Sequence, residues 1–168
     1  MKRYVSKFKE DYNLYHASNY DFVIGKTYKA ISNKGTFGDF EKLIEYYRPK
    51  NCISRLNCFF TSPSLKYVHQ FGNTLYTVTP IGKTTICSLG WISILIDFCF
   101  NKKYVDGYTK KGYSLSKIKK EDSEIIKKYV ENYFLNVPIH KTDIIGLKNT
   151  EYGIKEILCT SIKIINKK

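Results

Sequence analysis

The sequence predicts one mixed α+β domain, and three observations carry that reading. The chain has 168 residues, enough to bury a single core and little more. Its hydrophobic share of 43% leans on 15 Tyr and 10 Phe against one Trp and one Met, and aromatic side chains suit the pleated, half-buried surface of a sheet. Segments with apolar residues at helical spacing are interspersed with short runs of β type, which excludes an all-helical bundle.

Three helices follow from spacing and caps. Phe40, Leu43, Ile44 and Tyr47 fall at i, i+3, i+4 and i+7, and Pro49 ends the pattern after Arg48. Ser62-Pro63 offers a capping hydroxyl and a pre-set first turn for a helix over Ser64–Phe71, with Gly72 as its left-handed stop. Ile118, Ile125, Ile126, Tyr129, Val130 and Tyr133 make one apolar stripe between Ser116 and Phe134, which predicts the longest helix. Strands are expected at Asn13–His16, Cys58–Thr61, Thr74–Thr79, Lys83–Cys87, Asp143–Leu147 and Ile154–Ile165. The apolar stretch Ile86–Phe100, broken by Ser88, Gly90, Ser93 and Asp97, is too short to span a bilayer and reads as a buried element. The lysine-rich stretch Asn101–Lys120 reads as an exposed loop.

The five cysteines are odd in number, form no CxxC pair and sit mostly in apolar runs, so they are expected as buried thiols. The N-terminal Met-Lys-Arg-Tyr-Val leads into charged residues rather than an apolar stretch, so no secretory signal is read and a cytoplasmic protein is expected. His69 and His140 lack metal-ligand spacing to any Cys or to each other, and no Walker or GxGxxG loop occurs, so no metal is expected. The formal charge of +13 suits nucleic acid, an acidic protein or a phosphate-bearing cofactor, or else reflects lysines that only solvate the surface.

Three segments bear on chemistry: Leu-Tyr-His-Ala-Ser at Leu14–Ser18, Cys-Phe-Phe-Thr-Ser running on to Tyr67, and Lys-Glu-Ile-Leu at Lys155–Leu158. In that order they resemble the His, Tyr and Glu elements of ADP-ribosyltransferases. Phe59-Phe60-Thr61, a helix, and then Leu75-Tyr76-Thr77-Val78-Thr79-Pro80 is similar to the second motif of the rifampin ADP-ribosyltransferases. Arg48-Pro49, Ser54-Arg55, Phe59-Phe60, Trp91, Tyr133 and Glu156 together resemble small uncharacterised bacterial and phage proteins of that fold. The resemblance covers most of the chain. It implies an ADP-ribosyltransferase-like split β-sheet core with short flanking helices, and a mono-ADP-ribosyltransferase that uses NAD as substrate. The implied acceptor is a macromolecule, protein or nucleic acid, in phage–host conflict or toxin biology.

The resemblance also assigns roles. Breaking the nicotinamide–ribose bond builds positive charge on the ribose, which a fixed carboxylate stabilises; Glu156 takes that role. His16 would hold a ribose hydroxyl, the Ala17 main chain the carboxamide, and Ser18 a further hydroxyl. Ala17 stands where the family prefers Gly. The ring of Tyr67, or else of Phe59 or Tyr76, would stack on nicotinamide. Arg55 and Arg48 are candidates for the pyrophosphate, since a guanidinium fork suits it, or for pairing with an acid such as Glu45. An RNA 2′-phosphotransferase, a non-catalytic basic nucleic-acid-binding module and an aromatic inhibitor protein are the alternatives.

Overall fold

The computed structural model describes residues 13–32, 37–110, 112–140 and 153–168. Five strands form one antiparallel sheet: β1 (Leu14–Ser18), β2 (Thr27–Lys29), β3 (Phe59–Thr61), β4 (Thr74–Ser88) and β7 (Lys155–Lys167). Their order is β1-β4-β7-β2, with β3 pairing on the N-terminal half of β7. A second sheet is the hairpin of β5 (Val105–Thr109) and β6 (Gly112–Leu115). The described residues also form four α-helices: α1 (Asp39–Tyr46), α2 (Leu65–Val68), α3 (Gly90–Asn101) and α4 (Lys120–Phe134). The architecture is mixed α+β, and no helix among the described residues is long and apolar enough to cross a membrane.

Strands β4 and β7 run side by side over most of their length, with a register irregularity between Ile81 and Thr84. Thr74–Thr79 and Lys83–Cys87, read separately from the sequence, are therefore one strand bent at that point. Ser62, just after β3, exchanges both backbone hydrogen bonds with Tyr15 of β1, at 2.9 and 3.1 Å. The sheet thus curls back on itself. Inside the curl lie Leu14, Tyr76, Val78, Ile157, Cys159, Ile162 and Ile164. On the outer face a larger core packs Phe40 and Ile44 of α1, Trp91 and Leu95 of α3, and Ile126 and Val130 of α4 against Cys87 and Leu158.

Several expectations are corrected. The second helix is capped by Ser64, whose hydroxyl accepts from the Tyr67 backbone at 3.3 Å, two residues later than expected. Ser62 instead accepts from Ser64 N and donates to the Lys155 carbonyl, tying this turn to β7. Gly72 is extended, with φ −175°, rather than left-handed. Its lack of a side chain serves a close approach, because a Cβ there would lie 2.5 Å from the backbone nitrogen of Ser18.

Helix α3 was not foreseen because its inward-facing stretch, from Gly90 to Leu95, is buried on every side, and an apolar segment without a polar face carries no helical period. Within the expected loop Asn101–Lys120, β5 and β6 pair, and Gly112, which opens β6 opposite Thr109, has φ +104°, a conformation that L side chains rarely adopt. The expected strand Asp143–Leu147 lies outside the described residues.

Replacing Gly72 with Ala forces the α2–β4 turn off β1, so Gly72→Ala is expected to lower stability by about 1–3 kcal/mol. Gly107→Ala, where the nearest side-chain atom is 3.9 Å away, is expected to stay within about 0.5 kcal/mol of wild type. Urea denaturation of the two variants checks the contrast.

Candidate functional site

Helix α1 presents Glu41 and Glu45 one turn apart, and both reach across to the segment that precedes β3. Glu45 Oε1 accepts from the Arg55 backbone at 2.7 Å, and its Oε2 accepts from Arg48 Nε at 2.9 Å. Arg48 also donates to the Cys52 carbonyl at 2.6 Å. Arg55 opens a 3₁₀ turn started by Ser54, whose hydroxyl accepts from Leu56 N. From there its side chain enters the outer core.

The Arg55 guanidinium is 2% exposed. Its Nε donates to Glu41 Oε1 at 2.5 Å, and its Nη1 donates to Glu156 Oε2 at 2.6 Å. The Tyr133 hydroxyl from α4 accepts from Arg55 and donates to Glu156 Oε2. The Tyr67 hydroxyl from α2 donates to Glu156 Oε1 at 3.0 Å. The Phe60 ring lies 4.7 Å from the guanidinium carbon, a cation–π contact. Burial alone would lower the Arg55 pKa, but Tyr133, Glu156 and Glu41 outweigh it and keep the guanidinium charged. Burial pushes the Tyr133 phenol well above its usual range against the pull of Arg55, so it stays a proton donor.

Glu156 itself is 2% exposed and sits opposite Cys87 of β4 on the outer face of the sheet. Both of its oxygens are held by donors from three separate elements, so the carboxylate has a fixed direction. Tyr67 also walls a cleft of about 230 Å³ shared with Phe37, Phe71, Tyr113 and the α3 residues Ile92 and Asp97. Tyr67 stands between this cleft and Glu156, which does not line it.

The sequence-predicted residues divide between the two faces. Arg55, Tyr67 and Glu156 meet in one cluster. His16 pairs with Tyr76 across β1 and β4 and so faces the inside of the curl, with its ring 5.4 Å from Phe59 and 5.9 Å from Phe22. Phe59 and Tyr76 share that inner face, and neither lines the cleft. The His16 ring donates from Nδ1 to the Phe60 carbonyl at 2.9 Å, and burial lowers its pKa, so it is a neutral, packed histidine. Ala17 is buried toward the outer core, and Ser18 accepts from Tyr20 N in a local turn. Arg55 and Arg48 both serve α1 carboxylates, which withdraws them from a pyrophosphate role.

Sequence reading missed Glu41 as a member of the cluster. Acids in the first turn of a helix normally complement its dipole, and the only further signal was that Glu41 lies between Phe40 and Ile44 of the apolar stripe. Among the described residues no group of three or more His, Cys, Asp and Glu is arranged to hold a metal ion. Comparison of the chain with family models, with curated proteins and with solved structures finds no match in any of the three.

Removing Arg55 leaves Glu41 and Glu156 buried without a counter-charge, so Arg55→Leu is expected to cost about 3–5 kcal/mol. Tyr133→Phe, which removes one link and leaves the charges paired, is expected to cost about 1–3 kcal/mol. Urea denaturation ranks them, and equal stability of Arg55→Leu and wild type would refute the assignment.

For His16 the sign follows from its lowered pKa. The unfolded chain binds the proton more readily, so the histidine's contribution is complete above its ordinary value of 6.5 and is lost as pH falls below it. Urea midpoints measured between pH 7.5 and about 5 are expected to decline for wild type. In His16→Phe the part of that decline due to the imidazole is expected to disappear.

Proposed function

We propose that the chain is a mono-ADP-ribosyltransferase that uses NAD and modifies a macromolecular acceptor, protein or nucleic acid. The observation that carries this reading is the Tyr67–Glu156 contact of 3.0 Å, made by a tyrosine whose ring also walls an aromatic cleft. The chemistry needs a flat apolar seat for nicotinamide beside a carboxylate that does not relax when charge develops on the ribose. Tyr67, Phe71 and Phe37 supply ring faces for the seat. Rotation of Tyr67 away from Glu156 bares Oε1 at the floor of the cleft, while Arg55 and Tyr133 keep Oε2 in place. The carboxylate then faces the ribose carbon from which nicotinamide departs and stabilises its oxocarbenium character. With Arg48 and Arg55 committed to Glu41, Glu45 and Glu156, the pyrophosphate falls to surface lysines, which the charge of +13 supplies in number.

A second reading is favoured by one specific observation. Glu156 is 2% exposed and both of its oxygens are occupied, the state expected of a polar core that specifies packing rather than reacts. On that reading the chain is a basic binding module for nucleic acid.

Labelled NAD incubated with the protein and a cell lysate separates the two. Nicotinamide release and label on protein or nucleic acid are expected with wild type. Glu156→Gln, which keeps the shape of the side chain, is expected to lose roughly 10²–10³ in rate at unchanged circular dichroism. Tyr67→Phe keeps the ring and is expected to retain most of the rate. A folded wild-type protein that neither binds NAD nor releases nicotinamide sinks the enzyme reading. Salt-sensitive nucleic-acid binding indifferent to Glu156→Gln then identifies the module.

A further inference from the structure

The cleft beside Tyr67 carries a feature that the reaction centre does not use. Its α3 wall is a single helical stripe, Leu89, Ile92, Ser93, Ile96 and Asp97, as residues three and four apart share a face. Asp97 closes the stripe about 6 Å along the axis from Ser93. Among the described residues it is the one charged side chain that lines the cleft. Asp97 makes no hydrogen bond or ion pair with another described residue. Partial burial raises its pKa, as expected of a carboxylate that has lost water without gaining a counter-charge. Facing it is Tyr113, and Phe37, Phe71 and Tyr67 line the same space.

A ring-lined seat with one carboxylate, its other polar side chains being Gln70 and Ser93, recognises a planar organic cation, through dispersion and cation–π contact on the ring faces and charge at one edge. The chain as a whole, at +13, repels a simple cation and attracts an anion. A ligand that joins a planar cation to an anionic tail satisfies both. We propose that Asp97 is the residue by which the cleft selects the positively charged, oxidised nicotinamide ring over neutral rings of the same shape; this rests on the NAD reading above.

The charge bookkeeping gives the selection a consequence. Heterolysis of the ribose–nicotinamide bond returns the bonding electron pair to the ring nitrogen, so the pyridinium becomes neutral nicotinamide and the positive charge passes to the ribose carbon. The attraction to Asp97 vanishes with the bond, and the product leaves more readily than the substrate. The same attraction stabilises the ground state, so Asp97→Asn is expected to raise KM for NAD without lowering kcat.

Two small probes test the inference without turnover: 1-methylnicotinamide, a cation, and nicotinamide, its neutral counterpart. Calorimetric titration of wild type at about 0.15 M salt, which screens the net charge but not the contact with Asp97, is expected to show the cation bound roughly tenfold more tightly. In Asp97→Asn, with unchanged circular dichroism, the two affinities are expected to agree within about twofold. Equal binding of the probes by wild type, binding of neither, or a preference that survives Asp97→Asn overturns the inference. Nicotinamide release from NAD without a cation preference would sink the role of Asp97 and leave the transferase reading standing. A cation preference that depends on Asp97, without NAD turnover, would uphold the cleft as a cation site and sink the transferase reading.

Discussion

The buried guanidinium of Arg55 is the interaction on which the rest depends. It joins Glu41 of α1, Tyr133 of α4 and Glu156 of β7, fixing at one polar point three elements that otherwise meet only through apolar packing. Two carboxylates in an interior carry a desolvation cost that attraction repays only when geometry is good and the remaining lone pairs find donors. Here Tyr133 and Tyr67 satisfy Glu156, while Glu41 Oε2 has no hydrogen-bond partner among the described residues. Arginine suits this position because its fork donates in two directions at once, which a lysine ammonium cannot do from a fixed plane.

How much of this was legible in the sequence differs from element to element. Helices α1 and α4 announced themselves through their apolar stripes, although α4 begins only at Lys120, which leaves Ile118 outside it, and Ile125 is exposed. Strands β1, β3 and β7 were placed within a residue or two. Helix α3 was hidden by being buried, and β2, three residues long, gave no alternation to read. The hairpin β5–β6 was obscured by the lysines that flank its two short strands, which contain none.

The candidate site shows a similar split. Arg55, Tyr67 and Glu156 were chosen one by one from short motifs, and the fold joins them through 3.0 Å and 2.6 Å contacts. His16 was chosen on the same grounds, yet strand alternation turns it to the other face of the sheet. A motif fixes the order of residues along the chain. Which face each one takes depends on register, and register is set by partners far away in sequence. Glu41 and Asp97 illustrate the converse, because an acid on a helix gives no sign in one dimension of whether its neighbours in space will be cations, rings or water.

Strand β7 forms hydrogen-bonded pairs with β2, β3 and β4, yet it is synthesised after all of them. Until it emerges from the ribosome, those strands have no central template, Arg55 has no Glu156, and the outer core has no floor. Local pieces such as α1, α4 and the β5–β6 hairpin can form as they appear, but the sheet that organises them must wait for loop closures spanning most of the chain. High sequence separation of this kind slows folding and leaves strand edges and aromatic surface exposed in the meantime. Vectorial synthesis therefore makes this a protein that commits to its fold late and nearly all at once, and whose nascent chain depends on shielding until β7 arrives.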